Sequence, residues 1–318
     1  AAKPFYEGKT ITIVVGFGPG GGYDAYARLV ARHLGKYIPG NPSVIVQNRP
    51  GAGSMTAANF IYNKAKPDGL TIGTFIRDMG ISGLRDAPGV EFDWDKFGWI
   101  GSANSEVYVI EIRTETGVKT VEDLVNRAEP TIMSVTAKTT GTYLFMRALQ
   151  ETLGAKFKFV VGYPDSAAQA LAMERKEVEG MGGSYSSLVT MRPHWLEQEP
   201  PFVVIPVQSG EVRNPALPDV PTIVELVTGE DAKTLARLVG AANEVGRPYV
   251  APPGIPADRL KILRDAFAQA MVDPDLLAEA KKGKRPIRLL TGEQTQEMAG
   301  NLLQASPETI ARFQMLSE

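Results

Sequence analysis

The chain of 318 residues contains no cysteine. That single absence removes thiol nucleophiles, thiolate metal ligands and disulfides together. Histidine is almost as scarce, with His33 and His194 alone, so a histidine cluster for zinc cannot be assembled and imidazole catalysis has little to draw on. No uninterrupted apolar run approaches the ~18 residues of a membrane span; the longest candidates, Ile11–Val15 and Phe202–Val207, have strand length. Neither sign of charge dominates. Against 34 Lys and Arg stand 36 Asp and Glu, a formal net charge of −2, so no global basic field recruits nucleic acid or anionic lipid. What is present is 43% hydrophobic residues, enough for a large core in a chain long enough for two domains. A cysteine-free chain suits an oxidising space as well as the cytosol. The opening Ala1-Ala2-Lys3 resembles the mature side of a signal-peptide cleavage site, and a cloning scar would look the same, so the residues alone leave the compartment open.

The first hundred residues alternate regularly. Thr10–Val15, Ser43–Val46 and Leu70–Ile76 are short and β-branched and predict strands. Tyr23–Leu34, with apolar residues at 26, 29, 30 and 34, and the Ala-rich Ser54–Lys64 predict helices, the latter opened by a serine cap. This βαβαβ order implies parallel pairing flanked by helices. After Gly101 the pattern restarts: strands at Val107–Ile112, Thr131–Thr136, Phe157–Val161, Val178–Gly183 and Phe202–Val207, with helices at Thr142–Leu153 and Asp165–Lys176. Thr120-Val121-Glu122-Asp123 is a capping box. Beyond Gly254 the chain turns helical, in Ala257–Met271, Pro274–Lys282 and a long Glu293–Phe313 broken by one proline. The expected fold is therefore α/β in two lobes, each a mixed or parallel sheet flanked by helices. Residues 1–103 plus 245–318 would form lobe 1 and 104–244 lobe 2, with hinges near 101–105 and 240–248.

The most informative segment runs Gly16-Phe17-Gly18-Pro19-Gly20-Gly21-Gly22-Tyr23-Asp24, between first strand and first helix, where open α/β sheets bind ligands. Gly16, Gly18 and Gly21 fit G-x-G-x-x-G, so an NADP-dependent oxidoreductase is the alternative reading. Pro19 weighs against it by removing a backbone donor from the pyrophosphate wrap. So does Gln47-Asn48-Arg49 where an acidic ribose partner is expected, although an arginine suits a 2′-phosphate. No Gly-Lys-Ser/Thr follows, which excludes a P-loop. A tight turn needs one or two glycines, and the excess favours a backbone bared to a ligand. A second loop, Thr136-Ala137-Lys138-Thr139-Thr140-Gly141-Thr142, again lies between strand and helix. Its hydroxyls and N–H groups suit a carboxylate, whereas simple capping would use one threonine. A third reading, a purely structural module, assigns both loops to turns alone.

Phe17-Gly18-Pro19-Gly20-Gly21-Gly22-Tyr23-Asp24-Ala25-Tyr26-Ala27-Arg28 resembles the F-x-P-G-G-x-x-D-x-x-A-R signature of Bug/TctC-type proteins, the periplasmic solute receptors of tripartite tricarboxylate transporters. Asn48-Arg49-Pro50-Gly51-Ala52-Gly53, Lys66-Pro67-Asp68-Gly69-Leu70-Thr71, Leu217-Pro218-Asp219-Val220-Pro221-Thr222 with Glu225, and Ala251-Pro252-Pro253-Gly254-Ile255-Pro256 are similar to four further family segments in the same order. The resemblance implies a two-lobed Venus flytrap (periplasmic binding protein type II-like), usually monomeric, without catalysis, cofactor or metal. It also implies a small di- or tricarboxylate or aromatic acid as ligand, and integral-membrane transporter subunits as partners. Carried over, the carboxylate sites are Phe17 and Gly18 to Gly22 in one lobe and Thr136 to Thr142 in the other, while Asp24 caps the first helix. The chain departs from the family where Tyr143 replaces a usual histidine and where Val161-Gly162-Tyr163-Pro164-Asp165 lacks a usual lysine, so a relative's ligand does not transfer.

Beside these loops, Pro19 and Tyr23 complete the first-lobe set. Arg77 lies at a strand end and either reaches the distal end of a ligand or pairs with Asp78. Lys138 either neutralises a carboxylate or is solvated. Tyr163 either stacks on a ligand or packs in the core, and Ser184 sits at another strand end. Glu174, Glu177 and Glu179 read as a solvated helix face rather than a metal cluster.

Overall fold

The run TITIVV forms β1 (Thr10–Val15), whose inward residues Ile11, Ile13, Val14 and Val15 are fully buried. The computed structural model describes residues 3–20, 22–84, 88–135, 138, 140–163 and 166–318. They divide into unit 1, residues 1–105 and 245–303, and unit 2, residues 106–244 and 304–318.

Unit 1 begins with β1, α1 (Gly22–Leu34), β2 (Ser43–Asn48), α2 (Met55–Asn63), β3 (Thr71–Thr74), α3 (Met79–Leu84) and β4 (Gly98–Ser102). In unit 2 follow β5 (Tyr108–Arg113), α4 (Val121–Asn126), β6 (Thr131–Val135), α5 (Gly141–Leu153), β7 (Phe157–Val161), α6 (Ser166–Glu174), β8 (Gly180–Ser184), α7 (Tyr185–Met191), α8 (His194–Glu197), β9 (Val203–Val204), α9 (Ile223–Leu226) and α10 (Glu230–Glu244). The chain returns to unit 1 with β10 (Pro248–Ala251), α11 (Ala257–Met271), α12 (Pro274–Lys282), β11 (Leu290–Thr291) and α13 (Gly292–Leu302), and ends in unit 2 with α14 (Pro307–Met315). No helix among the described residues is long and apolar enough to cross a membrane.

Both sheets are mixed. In unit 1 the order is β11-β4-β10-β3-β1-β2; β1 pairs in parallel with β2 and β3, while β10 runs antiparallel to β3 and β4. In unit 2 the order is β7-β6-β8-β5-β9, with β6 parallel to β7 and β8, and β5 antiparallel to β8 and β9. Crossover helices impose the parallel pairs, as the sequence order predicts. Patterning shows neither the returning strands nor β4, because each is a single short run without an adjacent strand partner in sequence.

Two expectations differ. The strand at Phe202–Val207 is only Val203–Val204, since Pro201 and Pro206 flank it and cannot donate to a ladder. The last helical stretch breaks at its proline as expected: Ser306 caps α14 with Pro307 as its first residue. That helix packs on α10 and belongs with unit 2, whereas the sequence reading placed it with the first lobe.

Aliphatic and aromatic side chains of β1, α1, α11 and α12 form the unit 1 core, including Tyr26, Leu29, Val30, Phe267 and Leu276. In the unit 2 interior a buried glutamate faces a buried arginine. Glu111 of β5 is 0% exposed and meets Arg192 at 3.4 Å, its second oxygen Oε2 making no hydrogen bond. Burial pushes the Glu111 carboxyl up to about 7, against the opposing pull of Arg192. The folded state therefore keeps a proton that the unfolded chain releases. Stability should fall as pH rises from the ordinary carboxylate range to about 7, by on the order of 3 kcal/mol, and level off above. Urea unfolding from pH 5 to 8 checks this: Glu111→Gln should flatten the slope, and an unchanged slope would refute it.

Candidate functional site

The β1–α1 loop leaves the carboxyl end of β1 beside the carboxyl ends of β2 and β3. Polar side chains from those neighbours fix it. Gly16 donates its N–H to Thr74 O at 3.0 Å. Ser54 donates to Gly16 O at 3.2 Å and accepts from the Ile76 N–H at 3.1 Å, so one hydroxyl ties the ends of β1 and β3 to the start of α2. It performs no cap: Ser54 is fully buried with φ +76° and no side-chain cap bond. That left-handed serine is backbone strain held by its surroundings, as strained residues at binding sites commonly are.

Asn48, at the end of β2, donates its amide to Phe17 O at 2.9 Å and to Asp24 Oδ1 at 2.8 Å. Asp24 sits in the first turn of α1 and is 2% exposed. It accepts from the Gly20 N–H and from Arg28 Nε, both at 2.9 Å. Burial pushes its carboxyl up, but the bonds from Arg28, Gly20 and Asn48 outweigh that and hold it below the usual carboxylate range. The aspartate is thus neutralised inside the loop framework.

The loop presents the following to solvent. Phe17 and Gly18 are half-buried, and Pro19 and Gly20 are exposed. Gly20 adopts φ +92°, which requires glycine, and its N–H is taken by Asp24. Gly18 has neither constraint: a Cβ there would meet nothing within 4 Å, so packing does not explain its glycine. Gly22 opens α1, whose first turn offers N–H groups with no intrahelical acceptor and the positive end of the helix dipole. Gly21 lies outside the described residues. Tyr23 stacks on Phe17 at 5.0 Å between ring centroids, accepts from the Arg77 N–H at 2.9 Å and donates to Gly246 O at 3.4 Å. Burial pushes its phenol up. Arg77 is exposed at the end of β3, so the structure brings Arg77, Tyr23, Phe17 and the glycines together in unit 1.

In unit 2, Thr136 and Thr139 lie outside the described residues. Thr140 caps α5, accepting from the Tyr143 N–H, and its hydroxyl lies 3.3 Å from that of Thr142. A Cβ on Gly141 would fall 2.1 Å from the Tyr108 hydroxyl, so glycine is what lets that phenol rest against the N-terminus of α5. Thr142 packs against Gly182 of β8, where an added Cβ would meet it at 2.9 Å. Ser184 ends β8 opposite Tyr108 and caps α7. Tyr163 follows β7, half-buried against the Trp195 cluster. Lys138 is exposed and donates to Glu318 O. Glu179 is not a solvated face: it is half-buried, with Arg127 at 2.9 Å and the Ile132 N–H at 2.9 Å.

Sequence reasoning missed Asn48, Ser54 and Tyr108. The first two lie in the segment Asn48–Ser54, but nothing in their spacing shows that they bind the loop more than 30 residues earlier. Arg49, which the NADP reading needs, stacks its guanidinium 3.7 Å over the Phe60 ring.

Comparison with known proteins agrees with this architecture. The family model described as tripartite tricarboxylate transporter family receptor matches residues 26–306. The chain is 27% identical over 281 residues to a UPF0065 protein of Bordetella bronchiseptica, covering 85% of this chain and 75% of that one. It is also 27% identical over 303 residues to a UPF0065 protein of Agrobacterium vitis, covering 90% and 78%. A crystal structure of a TctC solute binding protein from Polaromonas superposes with a TM-score of 0.71 at 20% identity, covering 98% of each chain, and shares the fold. The chain belongs to the tripartite tricarboxylate transporter receptor family.

Proposed function

We propose that this protein is a periplasmic receptor that captures a small di- or tricarboxylate or aromatic acid and delivers it to the integral-membrane subunits of a tripartite transporter. The observation that carries this reading is the β1–α1 loop. Asp24, Asn48 and Ser54 bond its framework internally, while Gly18 and the first turn of α1 remain for a ligand. The Thr140–Thr142 turn of unit 2, at another strand-to-helix junction, is a second donor set of the same chemistry. The chain passes between units at residues 105/106, 244/245 and 303/304, and the first two crossings serve as the hinges. No bond-making step is assigned.

Hydrogen bonds to a charged group contribute roughly 1.5–3 kcal/mol each, and a helix end about 0.3–1. Three or four such bonds reach the roughly −8 kcal/mol of micromolar binding without a buried salt bridge. The dinucleotide reading, by contrast, asks Pro19 to stand where a donor is needed and Arg49 to leave Phe60.

The test is thermal unfolding across a panel of mono-, di- and tricarboxylates and aromatic acids, with NADP as control. A bound acid at a hundredfold excess over Kd should stabilise the fold by about 2.7 kcal/mol. Stabilisation by NADP with none from any acid would overturn the reading.

A further inference from the structure

A second feature of unit 1 concerns the same ligand and rests on the receptor reading above. β10 runs antiparallel to β3, so its first residue, Pro248, lies at the carboxyl end of β3, on the sheet edge that carries the glycine loop. Arg247 immediately precedes it. Its backbone is pinned on both sides: the N–H donates to Ser102 Oγ at 3.0 Å and the carbonyl accepts from the Ala103 N–H at 3.0 Å. Its side chain is half-buried, the guanidinium 4.2 Å over the Tyr23 ring and 4.8 Å from that of Tyr26.

Among the described residues no carboxylate pairs with this guanidinium. The other arginines of α1's surroundings differ: Arg28 meets Asp24 at 2.9 Å, and Arg32 pairs with Glu279. Tyr23 links the two halves of the site, since the ring that carries Arg247 also stacks on Phe17 of the glycine loop. A half-buried cation without an acidic partner is costly to hold, and stacking on a tyrosine recovers part of that cost while pre-orienting the planar fork.

We infer that Arg247 is a ligand-binding residue that takes a second carboxylate, so that the receptor reads a dicarboxylate: one acid group on the loop amides, the other on the guanidinium one aromatic ring away. Arg77 is exposed on the same edge, and among the described residues no ring fixes its geometry. A guanidinium donates two parallel N–H bonds to a carboxylate, which an ammonium cannot reproduce.

The experiment is calorimetric titration of wild type, Arg247→Lys and Arg247→Gln with matched acids: succinate and butyrate, adipate and hexanoate, terephthalate and benzoate. The wild type should prefer a diacid over its monoacid. Arg247→Gln should weaken that diacid by about 10- to 100-fold and leave the monoacid within about twofold, with Arg247→Lys between. Melting temperatures separate these effects from loss of stacking, which would weaken both acids alike. An unchanged diacid-to-monoacid ratio in Arg247→Gln overturns the inference and leaves the receptor reading standing, as does a wild type indifferent to the second acid group. A wild type that binds none of the six also overturns the inference, and the receptor reading then turns on the tricarboxylates and the NADP control of the thermal panel.

Discussion

Replacing Gly16 by valine should abolish carboxylate binding and cost about 3 kcal/mol of stability. The first side-chain carbon would lie 2.5 Å from Ser54 Oγ, 2.8 Å from Ser54 Cβ and 3.2 Å from Ser54 Cα. A flexible surface side chain could step aside, but Ser54 cannot. It is fully buried, its backbone sits at φ +76°, and its hydroxyl holds both Gly16 O and the Ile76 N–H. Making room therefore separates the end of β1 from that of β3 and releases the glycine loop. Denaturant unfolding reads the stability and calorimetry the affinity. A valine variant that keeps its Kd would show that Ser54 does not position the loop.

Asp24→Ala should have the second largest effect, about 2–3 kcal/mol in stability and at least a tenfold loss of affinity. The carboxylate takes bonds from the Gly20 N–H, Arg28 and Asn48. Alanine removes three bonds at once, although Arg28, with its side chain 46% exposed, and the exposed Gly20 N–H can regain water, which keeps the cost below that of a fully enclosed pair. Asp24→Asn, retaining an acceptor, should fall between. The sign of the pH dependence follows from the carboxyl being held low. Its contribution is complete above the ordinary carboxylate range and disappears as pH falls through the lowered value, so wild type and Asp24→Asn should converge in acid. A gap that stays constant from neutral to acid pH would contradict the assigned bonds.

Some of these features are written locally in the sequence and others are not. The βαβαβ rhythm of residues 10–76 was legible because alternation of short β-branched runs with 3.6-residue periodicity is local. The glycine loop was legible because five glycines in seven residues exceed what a turn needs. The family resemblance was carried by contiguous segments, and the fold matches it. Less legible was what each loop residue does. Gly20 was expected to bare its N–H to a ligand, whereas Asp24, four residues on, takes that donor. Ser54 looked like a helix cap and instead ties two strand ends together.

By itself the amino-acid order determined the α/β class, the positions of the first strands and helices, and the two glycine- or threonine-rich junctions, because all of these follow from patterns within a few turns of chain. Tertiary structure alone decided the antiparallel return of β10, which carries Arg247 to the carboxyl end of β3. It also decided the burial of Asp24, the seating of Tyr108 against Gly141, and the placing of α14 with unit 2. Each of these joins residues far apart in the chain, and such pairings arise from packing and hydrogen-bond closure, which no local window of sequence contains.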